Sequence, residues 1–305
     1  MSLPTFPRFQ KLQFEHKKVV ESYTKRYQPY SDFNFISLYC WNIDGNTELS
    51  QLNGNLVIRM KDYHGKRKIY SYFGTNSPEH TIQTLFNTKA VRIQKLTFVP
   101  KVNLQKDKRM KELFDIRLDR NHFDYIFSCE ELSKYEGSKY HNKRNLAKRF
   151  EQQVNTEFVE IDLSDIHIQK QIIRLNTVWT KLKDAVNEQE YIDELAAIKR
   201  FFEFAHHPNV KAFGLYEDKR LITFIFVELL PKKFALVHFK KCNLTYTGIA
   251  EFAMKELSLW LFSHGYLYMN FEQDLGVQGL RNAKMSNRPI RFLKKYGIKK
   301  KDSSI

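Results

Sequence analysis

Three hundred and five residues are enough chain for two domains at roughly 100–200 residues each, and for a core that needs no disulfide staples. Hydrophobic residues at 42% and charged residues at 28% exclude a disordered tail, a collagen-like rod and a membrane bundle. The net charge of +16, most of it in residues 1–150, fits polyanionic partners, either nucleic acid through counterion release or an anionic membrane surface; solubility is the simpler reading.

The first half reads as mixed. Leu56-Val57-Ile58-Arg59-Met60 and Lys68-Ile69-Tyr70-Ser71-Tyr72-Phe73 flank the turn former Tyr63-His64-Gly65-Lys66, a hairpin signal. Val91 to Val99 and Tyr125 to Ser128 read as further strands. A helical stretch from Glu130 to Gln153, bent near Gly137, precedes a strand at Phe158 to Ile161. Two amphipathic helices follow, one presenting Ile168, Ile172, Leu175, Trp179 and Leu182, the other Tyr191, Leu195, Ile198, Phe202 and Ala205. A three-strand meander comes next: Lys211 to Tyr216, Leu221 to Leu229 and Phe234 to Lys240. A helix from Ile249 to His264 stops at Gly265, a strand runs from Tyr266 to Glu272, and a short basic helix follows Gly276. Two helices, a meander, a helix, a strand and a helix is the element order of the acetyltransferase (GNAT) fold.

The longest apolar run, Leu221 to Leu230, is interrupted by Thr223 and Glu228 and is too short for a bilayer span. The first residues have neither the basic nor the apolar region of a signal peptide, so a cytoplasmic location is expected. Cys40, Cys129 and Cys242 are far apart and read as buried thiols. His206-His207 has no partner at a metal-ligand spacing, so no metal is assigned, and His238 reads as a core histidine.

Two stretches could carry chemistry. Between Lys139 and Arg149 five of eleven residues are Lys or Arg and none is acidic. On a helix Arg144 and Lys148 share a face, as do Tyr140 and Arg144, so Tyr140, Lys143, Arg144, Asn145 and Lys148 form a candidate nucleic-acid surface. A solvated helix is the plain alternative. In the second stretch, alternation places Tyr266, Tyr268, Asn270 and Glu272 on one strand face, Asp274 can cap the next turn, and Arg281 and Lys284 lie one helical turn apart. Glu272 and Asp274 are the candidate catalytic carboxylates, with Arg281, Lys284, Asn270 and Tyr268 binding substrate; a capping and ion-pair cluster is the structural alternative. The window Thr245-Tyr246-Thr247-Gly248-Ile249-Ala250 has the glycine and alanine of a coenzyme-A pyrophosphate loop but Thr245 at the Gln or Arg position, which disfavours coenzyme A; no cofactor is required.

Three blocks together resemble a family: Ser31-Asp32-Phe33-Asn34-Phe35 with Leu38-Tyr39-x-Trp41; Tyr140-x-x-Lys143-Arg144-Asn145; and Glu272-x-Asp274-Leu275-Gly276-x-x-Gly279-Leu280-Arg281-x-x-Lys284. They are similar to soluble bacterial relatives of the phosphatidylglycerol lysyltransferase C-terminal domain. The resemblance implies an α+β protein of two tandem GNAT-like (acyl-CoA N-acyltransferase-like) domains with mixed, mostly antiparallel sheets, residues 1–157 and 158–305. It also implies an aminoacyl or acyl transferase with aminoacyl-tRNA as donor and an amine or hydroxyl as acceptor. The rivals are a coenzyme-A-dependent N-acetyltransferase and a noncatalytic module that binds RNA or anionic surfaces.

Overall fold

Asn-Gly is the dipeptide of a two-residue hairpin loop. Asn53 and Gly54, both left-handed at φ 52° and 73°, join strands Glu48–Leu52 and Asn55–Lys61. Asn55–Lys61 in turn pairs antiparallel with Lys68–Phe73, as the hairpin signal predicts. Its turn at 63–66 lies outside the residues described, which are 2–62, 67–104, 109–182 and 187–301 of a computed structural model.

The chain forms two units, each assembled from separated stretches. The first comprises Met1–Asp124, Gln273–Arg281 and Phe292–Ile305; the second comprises Tyr125–Glu272 and Asn282–Arg291. One plan serves both. In the first unit helices Lys17–Thr24 and Phe35–Cys40 precede a meander of Glu48–Leu52, Asn55–Lys61 and Lys68–Phe73. Helix Pro78–Asn87 then returns the chain to a strand, Lys95–Pro100, that runs parallel to the last meander strand. In the second unit helices Ile166–Lys181 and Glu188–Phe201 precede Val210–Glu217, Arg220–Leu230 and Phe234–Cys242. Helix Ile249–Ser263 leads to the parallel strand Tyr268–Asn270.

The outer strands come from distant sequence. Lys295–Lys300 lies between Lys95–Pro100 and Phe114–Leu118 in the first sheet, antiparallel to both. Asp124–Ser128 pairs antiparallel with Tyr268–Asn270 in the second.

Several elements differ from the sequence expectation. The strand expected from Val91 is formed only at Lys95–Pro100. The helical stretch after Glu130 splits into Cys129–Lys134 and His141–Gln153, because Tyr135 and Gly137 are left-handed between them. Helix Glu188–Phe201 buries Ala197, Ile198 and Phe201, so its core face is turned toward Phe201 rather than Phe202. The cause is packing, since Phe201 stacks on Phe226 at a centroid distance of 4.8 Å. Leu182, expected on the apolar face, is exposed.

The first unit is tied together by a buried lysine. Lys295 Nζ contacts Asp32, donates to Asp124 Oδ1 at 2.7 Å and to Gln273 Oε1 at 3.0 Å, and lies 3.3 Å from Ser31 Oγ. Asp124 also accepts from the Ser31 amide at 2.9 Å and its hydroxyl at 2.6 Å, and Gln273 Nε2 donates to Asp32 at 3.1 Å. All five residues are buried. Burial pushes the Lys295 ammonium down, but the charges and hydrogen bonds of Asp124 and Asp32 outweigh it and hold the pKa above the ordinary lysine value.

Replacing Lys295 by Met should lower unfolding free energy by about 3–5 kcal/mol, because two carboxylates stay buried without their cation. A pKa raised on folding contributes stability in full below the unfolded value near about 10.4, lost as pH rises through the folded pKa. Denaturant unfolding should therefore show no lysine-linked loss for the wild type from neutral pH up to about pH 10.

Candidate functional site

The second unit's parallel strands separate soon after they meet. Phe234, Ala235 and Leu236 pair with Tyr268, Met269 and Asn270, and there the shorter strand ends while its neighbour continues to Cys242. A crevice where parallel strands part at their carboxyl ends is a common ligand position in α/β sheets. The strand end has a local cause. The Asn270 side chain accepts from the Glu272 amide at 2.7 Å, and Glu272 turns left-handed at φ 54°. The expected alternation to Glu272 therefore breaks: Asn270 is buried, and Glu272 leaves the strand.

Beside this end His238 is the extra residue of a β-bulge. Phe226 pairs with Phe239 and Val227 with Val237, so two steps on one strand match a single step on the other. Bulges re-aim side chains. His238 Nε2 lies 3.4 Å from Glu228 and Nδ1 lies 3.8 Å from Glu272. Glu228 and His238 are 3% exposed at their side chains and Glu272 21%, so one carboxylate is buried and the other partly exposed. The Phe201 ring packs beside the imidazole, with the ring centroids 5.3 Å apart. An imidazole between two carboxylates can accept a proton at one nitrogen while the other is held by charge.

The remaining candidates of the last stretch are placed as follows. Within the second unit, Lys284 donates to the Phe271 carbonyl with its ammonium 5.7 Å from the Tyr125 ring, and Tyr268 carries the Arg291 guanidinium at 4.5 Å. Within the first unit, Asp274 is buried and caps Gly276 N at 2.8 Å. Arg281 grips it with two hydrogen bonds of 2.9 and 3.0 Å, and Arg120 adds a third at 3.0 Å. Arg281 also reaches Asn121 at 2.7 Å. Such a bidentate fork fixes geometry as well as charge.

In the basic stretch, Tyr140 is buried with its hydroxyl donating to Glu131 at 3.0 Å, and burial pushes its pKa up. Arg144 donates to the Tyr135 and Gly137 carbonyls at 2.7 and 3.3 Å, satisfying a helix end. Lys143 pairs with Glu251 at 3.0 Å, and Asn145 bonds His141 at 3.0 Å. Lys148 and Arg149 are exposed.

The loop before helix Ile249–Ser263 is covered. Gly248, at φ 86°, is its N-cap, and a Cβ there would lie 2.1 Å from the Leu146 carbonyl oxygen of helix His141–Gln153. Phe150 of that helix packs on Tyr246 and Phe252. Nearby Lys240 donates to the Ala250 carbonyl at 2.8 Å, and burial pushes its pKa down. Among the described residues, no group of three His, Cys, Asp or Glu could hold a metal ion, and no helix is long and apolar enough to cross a membrane.

Sequence reasoning missed Glu228 and His238 as a pair. The available signal was a carboxylate inside the otherwise apolar run Leu221 to Leu230 facing a histidine on the next strand; the bulge that joins them is not written in the pattern.

The architecture matches known folds. A conserved protein of unknown function from Bacteroides thetaiotaomicron superposes with a TM-score of 0.83 at 21% identity, covering 98% of this chain and 100% of that one. L-PGS from Bacillus licheniformis gives 0.64 at 13% identity, covering 100% and 96%. FemX gives 0.55 at 9% identity, covering 95% and 96%. The fold is thus α+β with mixed sheets of the GNAT-like acyltransferase kind. No curated protein sequence matches the chain. The family described as phosphatidylglycerol lysyltransferase, C-terminal, matches residues 24–299, and this chain belongs to it.

Proposed function

We propose that this chain is an aminoacyl transferase that moves an acyl group from the ester of an aminoacyl-tRNA to an amine or hydroxyl acceptor. The observation that carries the reading is His238, bulged out between Glu228 and Glu272 where the parallel strands separate. Family membership and the GNAT-like fold support the reaction class.

In this reading Glu228 orients the imidazole and Glu272 accepts a hydrogen bond from the neutral amine or the hydroxyl of the acceptor. As the acceptor nitrogen or oxygen attacks the ester carbonyl carbon, His238 takes its proton. The carbonyl–oxygen bond to the donor ribose then breaks, and the same proton passes to the leaving hydroxyl. Asp274 acts as an anchor for Arg281 and Arg120, since both its oxygens are engaged. The helix across Gly248 supports a donor other than coenzyme A, because a pyrophosphate cradle needs open amides at that helix start.

Transfer from charged tRNA to phosphatidylglycerol vesicles and to soluble amines, measured in single turnover, tests the reading. His238→Gln and Glu272→Gln should melt as the wild type does and lose about 10²–10⁴-fold in rate. Undiminished transfer by His238→Gln removes the base from this site.

Besides Lys139, which pairs with Glu131 at 2.5 Å, Lys148 and Arg149 are exposed cations of the basic stretch. Replacing Lys148 and Arg149 by Gln should flatten the salt dependence of tRNA binding by about 0.7–0.9 in logarithmic slope per lost phosphate contact. An unchanged slope moves the polyanion surface elsewhere.

Acetyl-coenzyme A should bind weakly in calorimetry. Tight stoichiometric binding would place the acetyltransferase reading first.

A further inference from the structure

The hairpin Glu217-Asp218-Lys219-Arg220 makes its turn without glycine. Asp218 and Lys219 are both left-handed, at φ 47° and 65°; Asp is usual at the first of these positions, whereas Lys219 stands where glycine is favoured. Strain kept by non-glycine residues points to a use for their side chains. The turn borders a groove of about 390 Å³ against helix Ile166–Lys181, within the second unit and lined in part by Gln171, Arg174, Asp218, Lys219, Arg220 and Asn243.

The polar lining is mostly donors. Gln171 accepts the Leu221 amide at 3.1 Å through Oε1, and Asn243 accepts the Thr245 amide at 3.2 Å through Oδ1. Backbone amides only donate, so both side-chain orientations are fixed and both NH₂ ends remain as donors. Arg220 is held in place by Glu217 at 2.7 Å and by the Tyr246 hydroxyl. Among the described residues, the Arg174 and Lys219 side chains have neither an ion pair nor a hydrogen bond. Three cations and two amide donors line the groove with the Asp218 carboxylate, and one of the cations, Arg220, is already paired with Glu217.

We propose that this groove binds the phosphate group of a small phosphate ester. Arginine supplies a fork for phosphate oxygens, lysine a point charge, and the amides complete the coordination. The volume exceeds what a bare phosphate needs, and Leu175 and Val178 offer an apolar wall to the esterified group. The proposal is independent of the transfer chemistry and of the site at His238.

Calorimetric titration of the full chain with inorganic phosphate, adenosine 5′-monophosphate and glycerol 3-phosphate tests it. The wild type is expected to bind at least one ester more tightly than inorganic phosphate, with affinity falling as salt rises. Tighter binding of the nucleotide identifies a nucleotide source and tighter binding of glycerol 3-phosphate a lipid-headgroup source; either result carries the proposal. The double variant Arg174→Gln/Lys219→Gln should lose at least about tenfold in affinity with an unchanged melting temperature. Lys219→Gly should melt higher, because glycine relaxes the turn, and bind the ester more weakly. No binding of either ester by the wild type at millimolar concentration overturns the proposal, as does unaltered affinity in both variants.

Discussion

The first unit depends on one buried cation. Lys295 sits among Asp32, Asp124, Ser31 and Gln273, residues spread from near the start of the chain to near its end. Taking a lysine and two carboxylates out of water costs several kcal/mol for each ion, which close pairing and shared hydrogen bonds must offset. The excess carboxylate charge is met by the Ser31 amide and hydroxyl and by the Gln273 amide. Each group finds its partners only when all the stretches are in place. The network thus fixes the register of strand Lys295–Lys300 between two strands of much earlier sequence, a specifying role that an apolar cluster would fill less strictly.

The two units show what a shared plan leaves free. Both place a meander, a returning helix and a parallel strand in the same order, yet the parallel contact is a single residue pair, Tyr70 with Leu96, in the first and three pairs in the second. Both sheets carry a register shift, at Tyr296/Ile298 in the first and at Phe226/Val227 in the second, and the one in the second brings a histidine between two glutamates. The candidate chemistry therefore lies in a local departure from regular pairing, which is where bulges commonly serve function.

The charge run from Lys139 to Arg149 divides its work. Arg144 closes the end of the preceding helix, Lys143 pairs with Glu251, and Tyr140 is buried against Glu131. Its helix also brings the Leu146 carbonyl against Gly248, a contact that only a residue without Cβ permits. Residues that resemble a binding signature in one dimension are here partly holding two helices together, and the exposed remainder includes Lys139, Lys148 and Arg149.

The sequence alone determined the α+β class, the two amphipathic helices and the meander of the second half, because hydrophobic period and turn residues act over a few positions. It also held a signal left unread, Asn53-Gly54, whose hairpin follows from local backbone preference. Tertiary structure alone decided which strands share a sheet. Lys295–Lys300 joins the first sheet and Asp124–Ser128 the second through partners far away in sequence, and no local pattern encodes such a choice. The same holds for the candidate site. Glu228 and His238 are ten positions apart on neighbouring strands, and their meeting depends on a one-residue register shift that the pairing of whole strands decides, not the preference of either residue.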